Sequence, residues 1–367
     1  MANIGCGIMD QSSALFSKVI TVGAYTAVFH TTAHWRPWTF DQHWTVWVAA
    51  FVLSDFAYYW AHRTAHEVNI FWIGHVVHHQ SEDYNLAVAL RQALFSSLTS
   101  LPFYLPLALL GVPPLVFGTC NALNTLYQFW IHTELIRTLP KPVEAVMNTP
   151  SHHRVHHGTN PQYLDRNHAG VFIIWDKLFG TFEPEDEEVV YGLVTPLGSF
   201  NPLWANFVHL VGIAQLARAS ETLQEKFQAL FAGPAWRPVA LGGPKQAPAV
   251  SRASQQKYDP TYNPSLGRYV GAWFLLTLPW SIWLMAVGQQ LPLAPRTLAA
   301  GWVLWTVTQL GVLLDGRPWA QNGERLRLLA TVGLGAAVAL TSSPAAPALG
   351  AMMAAAGALS LLWWARR

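Results

Sequence analysis

The sequence predicts an all-α fold: a polytopic membrane helical bundle with a histidine-rich site on its cytoplasmic side. Three observations predict it. Of 367 residues, 52% are hydrophobic and only 11% charged, against roughly 25% charged in an ordinary soluble domain, and 18 Trp and 18 Phe suit the aromatic belts of membrane surfaces. Eight apolar runs punctuate the chain. Eleven of the fifteen histidines fall between His62 and His168, most of them three or four residues apart, a spacing that puts side chains on one helical face.

Taken in order, the apolar runs are 14–29, 44–60, 86–110 and 114–131 in the first half, then 269–288, 298–314, 328–340 and 345–364. The first is the shortest and weakest of its half. Runs 86–110 and 114–131 also read as a hairpin that enters the bilayer without crossing. Run 269–288 holds twenty residues without a charge, enough to cross a hydrocarbon core of roughly 30 Å. Four uncharged runs so close together near the C-terminus are more apolar surface than a soluble fold covers. Between the two groups, Thr149 and Pro150 form a helix start, as cap and first residue. Leu203, Phe207, Leu210, Val211 and Ala214 trace one helical face, lying in the membrane interface or packed on the domain, and a second helix is expected over 220–231. Residues 233–264, rich in Pro, Gly, Ala and Ser, read as a linker. The expected organisation is a catalytic part at 1–232, a linker at 233–268 and a transmembrane region at 269–367.

Short-loop charges orient membrane proteins, basic side inward. Arg317, Arg325 and Arg327 fall between the sixth and seventh runs, and Arg366 and Arg367 follow the eighth. The 342–344 loop has no basic residue and the 291–296 loop has one. Counting back, 62–85 and 133–268 are cytoplasmic, which puts all the histidine clusters on one side. No basic stretch with an apolar core and cleavage site opens the chain, so no signal peptide is expected. A formal charge of +2 gives no case for nucleic acid, and Cys6 and Cys120 cannot build a disulfide framework or a CxxC metal site. The small loops and Ala-rich C-terminus favour a bacterial inner membrane over the endoplasmic reticulum.

Three clusters carry the chemistry: His62 and His66; His75, His78 and His79; His153, His156 and His157. Imidazole is a neutral ligand for iron, zinc, copper or nickel. Desolvating eight imidazoles with no metal would be costly, and eight are too many for one ion, so the expectation is a dinuclear site. His132, at the end of the fourth run and the same membrane face, joins the set. His152 lies off the common face of its cluster and reads as a supporting or merely polar group, and His168 is a weaker candidate. His30, His34, His43 and His209 read as interfacial or surface residues. A metal transporter is the non-enzyme alternative, but its ligands would lie at mid-membrane depth, not at helix ends.

The pattern HxxxH, HxxHH, HxxHH between membrane segments resembles the fatty acid hydroxylase/sterol desaturase superfamily of membrane di-iron enzymes. The runs His62 to Ile70, Ser81 to Leu86, Ala89 to Gln92, Tyr127 to Glu134, Asn148 to Gly158 and Trp175 to Phe182 are more narrowly similar to the alkylglycerol monooxygenases. That resemblance implies two iron ions held by His62, His66, His75, His78, His79, His132, His153, His156 and His157. A relative can carry His where Gln128 stands here, and Tyr where His168 stands. The resemblance further implies dioxygen and tetrahydrobiopterin as reactants. The carbon beside the ether oxygen of an alkylglycerol would be hydroxylated, and the hemiacetal would fall apart to a fatty aldehyde and glycerol. On this reading Glu67, acidic beside the first cluster, holds the pterin or handles a proton, against the plain alternative of a structural ion pair. Glu82, Asp83, Tyr84 and Asn85 are further pterin candidates. The rival enzyme is a sterol, carotenoid or fatty acyl hydroxylase or desaturase with another electron donor.

Overall fold

The structure, a computed structural model, describes residues 1–36, 43–340 and 346–366. Among these the chain is helical with no strand, only isolated bridges pairing Met147 with Phe172 and Gly158 with Tyr191. It divides into two compact units. One comprises Met1–Ser12, Ser199–Pro202 and Asp259–Arg367, the other Ser13–Gly198 and Leu203–Tyr258.

The second of these holds the histidines. After α1 (Ala2–Thr31), it continues through α2 (Trp44–Glu67), the single turns α3 (Asn69–Trp72), α4 (Val76–His79) and α5 (Leu86–Ala89), and the hairpin α6 (Ser96–Leu109) and α7 (Pro114–Trp130). Tyr25, Ala50, Ala57, Tyr104, Leu107, Val116 and Cys120 form the apolar core that joins α1, α2, α6 and α7. Tyr25 stacks on Phe117 at 4.4 Å and donates its hydroxyl to Val112 O at 2.9 Å. Short helices α8 (Lys141–Val146), α9 (Pro150–His156) and α10 (Ile174–Phe179) follow, then α11 (Pro202–Ala219) and α12 (Leu223–Phe231). Thr149 is the N-cap of α9 with Pro150 at its first turn, as the sequence predicts, although no side-chain cap bond forms. Thr222 and Glu225 close a reciprocal capping box on α12.

The other unit contains α13 (Pro264–Val287), α14 (Leu293–Leu314), α15 (Ala320–Ala339) and α16 (Ala346–Ala365). Gly335 lets α15 and α16 approach backbone to backbone, since a Cβ there would lie 2.6 Å from Ala354 N.

Among the described residues, four helices are long and apolar enough to cross a membrane: Ala2–Trp35, Pro264–Gln290, Leu293–Leu314 and Pro347–Ala365. The other four expected spans, 44–60, 86–110, 114–131 and 328–340, fall outside these helices, and 86–110 with 114–131 take the hairpin form that their sequence also allows. Run 86–110 is broken between α5 and α6, because Arg91 is buried and spends its guanidinium on Val77 O and Gln80 Oε1, while Leu94 N binds Asn206 Oδ1. At 1.5 Å per residue, the 14 residues of α6 and 17 of α7 rise about 21 and 26 Å, short of a full crossing. Run 44–60 continues into the polar end of α2, with Asp55 buried inside it. Run 328–340 is the second half of α15, whose first half carries Glu324 and Arg327 as a fully buried ion pair. Arg325 and Arg327 thus lie in a helix, not in a loop, and Arg327 does not report on sidedness. The 342–344 loop and Arg367 lie outside the described residues.

Candidate metal centre

The nine histidines converge as two buried groups. His62, His66, His75, His79 and His156 form one; His78, His132, His153 and His157 form the other, with one ring nitrogen from each member within 4.8 Å of the others. The local sequence explains the division. Residues four apart stay together: 62 with 66, 75 with 79, 153 with 157. The middle histidine of each HxxHH motif lies off that line and crosses to the other group: His78 joins the 153/157 pair and His156 joins the 75/79 pair.

The two groups are anchored from opposite sides. In the five-membered group His62 Nδ1 lies 2.7 Å from His168 O, His156 Nδ1 lies 2.9 Å from Arg166 O, and His66 Nδ1 faces the Asp165 carboxylate at 3.4 Å. Three successive anchors thus come from one loop, 165–168. That loop is bent through positive φ at Asp165 (56°) and Asn167 (55°), a region non-glycine residues seldom enter. Asn167 holds the bend by donating to His152 O and Glu183 O and accepting from Glu183 N. In the four-membered group His78 Nδ1 faces Arg91 O at 3.1 Å and His132 Nδ1 faces Gln128 O at 2.7 Å.

These anchors fix the tautomers. A carbonyl oxygen only accepts, so the facing Nδ1 carries the proton and Nε2 presents a lone pair. The Nε2 atoms of His78 and His132 are then two lone pairs 3.1 Å apart, an arrangement that a cation between them satisfies and that repels without one. Nε2 of His66 and of His156 is buried with no hydrogen-bond partner. The other Nε2 separations are 2.7 Å (His62–His75), 3.0 Å (His75–His79), 2.9 Å (His132–His153) and 3.2 Å (His153–His157). Nitrogens bound about 2.0–2.1 Å from one ion sit about 2.9 Å apart at a right angle and about 3.3 Å apart at the tetrahedral angle. The residues present therefore fit two metal ions. Burial lowers the basicity of all nine imidazoles, reinforced for most by their neighbours, and brings His78 to about 4 and His156 to about 3. The set is neutral and ready to ligate at physiological pH.

The remaining candidates fall at differing distances from this centre. Gln128 takes Tyr58 OH on its Oε1 at 2.7 Å and gives its Nε2 to Asn124 Oδ1 at 2.5 Å, a hydrogen-bonded amide beside His132. His168 is fully buried, its ring 5.0 Å from that of His66, with Nε2 on Asp165 O and Nδ1 without a partner. His152 packs edge-on against Phe182 at 5.4 Å, away from both groups. Tyr84 stacks on Tyr191 at 4.7 Å and lies 5.2 Å from the His157 ring. Glu67 is half-exposed and accepts from Arg63 at 2.8 Å. Glu82 accepts from Tyr258 N, Asp83 pairs with Lys257, and Asn85 caps α5 through Ala87 N.

Sequence reasoning missed three buried groups that position the centre. Arg154, inside the third cluster, makes a bidentate pair with Glu185 and donates to Thr133 O, Ile136 O and Arg137 O, tying α9 to the chain beyond His132. Asp55 accepts from Asn124 Nδ2, Val171 N, Phe172 N and Trp175 Nε1. Gly170 makes this closure possible, since a Cβ there would lie 2.8 Å from Asp55 Oδ1. Asp176 accepts from His168 N, Ala169 N and Thr181 Oγ1. The available signal was an Asp inside an apolar run, which must be satisfied somewhere.

Comparison with known proteins agrees with this geometry. Residues 47–181 match the fatty acid hydroxylase family, a stretch that contains every histidine of both groups. No solved structure matches the chain. The ornithine lipid hydroxylase OlsE of Rhizobium tropici is 31% identical over 137 residues, 37% of this chain and 41% of its own length. An alkylglycerol monooxygenase of Danio rerio is 39% identical over 368 residues, 99% of this chain and 80% of the relative. That of Homo sapiens is 42% identical over 332 residues, 90% and 73%. These animal relatives lend no support to a bacterial inner membrane. With likeness of this extent running through the histidine groups and well beyond them, the chain belongs to the alkylglycerol monooxygenase family within the fatty acid hydroxylase superfamily.

Proposed function

We propose that this oxygen-dependent membrane oxidoreductase cleaves the ether bond of alkylglycerol lipids, with two iron ions in its histidine groups and tetrahydrobiopterin as reductant. The observation that carries the proposal is the pair of buried, neutral imidazole sets with converging Nε2 atoms, in a chain 42% identical to an alkylglycerol monooxygenase over 90% of its length. Bound iron would supply dioxygen activation and the oxidising power to attack an unactivated C–H bond. The protein's part is to gather nine imidazoles in two sets, four of them oriented through the carbonyls of Gln128, Arg91, Arg166 and His168, and to keep water out by burial. Hydroxylation of the carbon beside the ether oxygen gives a hemiacetal, which collapses to fatty aldehyde and glycerol without further help.

Glu67 is the proposed pterin-holding or proton-handling group, since its half-exposed carboxylate directly follows His66. Tyr84 is the second pterin candidate, its ring stacked beside the four-membered group, with Glu82, Asp83 and Asn85 bordering it. We place both histidine groups on the cytoplasmic side, on the charge of Arg317, which follows α14 and is separated from residues 133–263 by the two crossings of α13 and α14. The test is turnover of an alkylglycerol by purified, iron-loaded protein with and without reduced tetrahydrobiopterin. Fatty aldehyde formed only with the pterin supports the reading. Aldehyde formed equally well without it points to another electron donor, and no aldehyde under either condition rules out the substrate.

A further inference from the structure

We propose that the C-terminal helical unit holds one aliphatic chain of a bilayer glycerolipid in an apolar cavity walled by α13, α14, α15 and α16. The cavity measures about 760 Å³. Three of its four walls are helices long and apolar enough to cross a membrane, so the medium that fills it is hydrocarbon, not water. It is a groove open toward the bilayer, since Leu298 and Met352 at its rim are 63% and 69% exposed, and its floor is closed by the buried Trp273, Leu284 and Val303.

The walls select the occupant. None of the lining residues is charged. Trp273 and Trp302 present ring carbon to the cavity while their indole N–H groups are committed elsewhere, to Ser360 Oγ at 3.1 Å and Thr331 Oγ1 at 3.0 Å. Trp273 is also clamped on one face by the guanidinium of Arg327, 4.1 Å from the ring centroid. That guanidinium is itself fixed by the buried Glu324 carboxylate. These rings are therefore rigid walls, preformed for a ligand. Met352 and Met353 on α16 form the adaptable side. Rigid apolar walls facing flexible thioethers suit a bending methylene chain. With no charged residue in its lining, the site offers no ionic partner to a phosphate headgroup.

The experiment uses the full chain purified into lipid nanodiscs doped with a phospholipid bearing a diazirine midway along one acyl chain. After photolysis, adducts are mapped by peptide mass spectrometry. Adducts are expected on the recessed residues Trp302, Met353 and Ala356, in equal yield with a phosphocholine or a phosphoglycerol headgroup. Unlabelled lipid in excess should suppress them, while adducts on Ile282 of α13 and Leu359 of α16, which lie outside the groove and are 63% and 67% exposed, persist as a measure of bulk bilayer contact. Ala356→Phe, which narrows the groove, should lower groove labelling about tenfold and leave the outer adducts unchanged. Ala299→Leu is the milder substitution should the first fail to fold, and competition on the unaltered protein stands if both do. Groove labelling that cannot be competed, or that survives both substitutions in folded protein, means bulk lipid contact only and overturns the proposal. So does a photoactivatable sterol that labels the cavity where the acyl probe does not.

Discussion

At the residue scale, the histidines differ from surface polar groups in what surrounds the ring. His78 has its Nδ1 spent on Arg91 O and its Nε2 opposed to that of His132. Removing it leaves an open coordination position in a group of only four. We expect His78→Ala to bring metal content from two ions per chain toward one, with loss of turnover, because ligand loss exceeds the 10- to 100-fold weakening typical of an outer-shell change; elemental analysis of the purified variant checks this. Glu67 behaves differently. Its exposed i,i+4 pair with Arg63 is worth about 0.3–0.5 kcal/mol, so Glu67→Gln should keep both ions and its melting temperature. If Glu67 holds the reductant, the activity deficit should be largest at low pterin, by about ten- to a hundred-fold in affinity. Metal lost in parallel with activity would make the residue a structural support, and full activity at every pterin concentration would make it a surface charge.

At the scale of elements, the existence of the clusters was legible because helical spacing alone aligns imidazoles. Their assignment to two groups was not. His78 and His79 are neighbours in sequence and belong to different groups, as do His156 and His157, and that division depends on how α4 and α9 lie against each other. The anchoring carbonyls of Arg91, Gln128, Arg166 and His168 were equally hidden, since any residue offers one. Arg154 was overlooked because an Arg between histidines reads as a charge beside a site. In the structure it is almost fully buried and ties α9 to residues 133–137. Breaking a buried ion pair from one side costs about 3–5 kcal/mol. Arg154→Met should therefore destabilise the fold by that order and release metal from the four-membered group first, since His132 and α9 lose their common tie. Thermal unfolding together with metal content after mild chelation measures both effects. Unchanged stability would show that the network around Arg154 is redundant.

At the scale of the whole molecule, composition identified a membrane protein, and four of the eight apolar runs lie in helices long and apolar enough to cross. Run 86–110 contains Arg91, and run 328–340 continues a helix whose Glu324 and Arg327 are buried against each other. Hydropathy sees neither satisfied charges nor helix breaks. The same burial that disguises polar residues also sets how the protein responds to acid. An unfolded imidazole takes up a proton below about pH 6.5. The folded protein holds His78 neutral down to about 4 and His156 to about 3, with the other seven ligands also lowered. Between those limits the unfolded chain binds more protons than the folded one, so stability rises with pH. It is full above about pH 6.5 and is lost as pH falls toward 4, by up to about 1.4 kcal/mol per pH unit for each imidazole. Metal raises stability further by binding the folded state, and by a nearly constant amount in this window because the folded ligands are already free of protons. Melting temperature measured across pH 7.5 to 4.5 should be flat at the upper end and drop steeply below about 6.5, and lie higher at every pH with metal than after chelation. A melting temperature independent of pH across that window would mean that the histidines are open to solvent, and the buried two-ion centre would have to be abandoned.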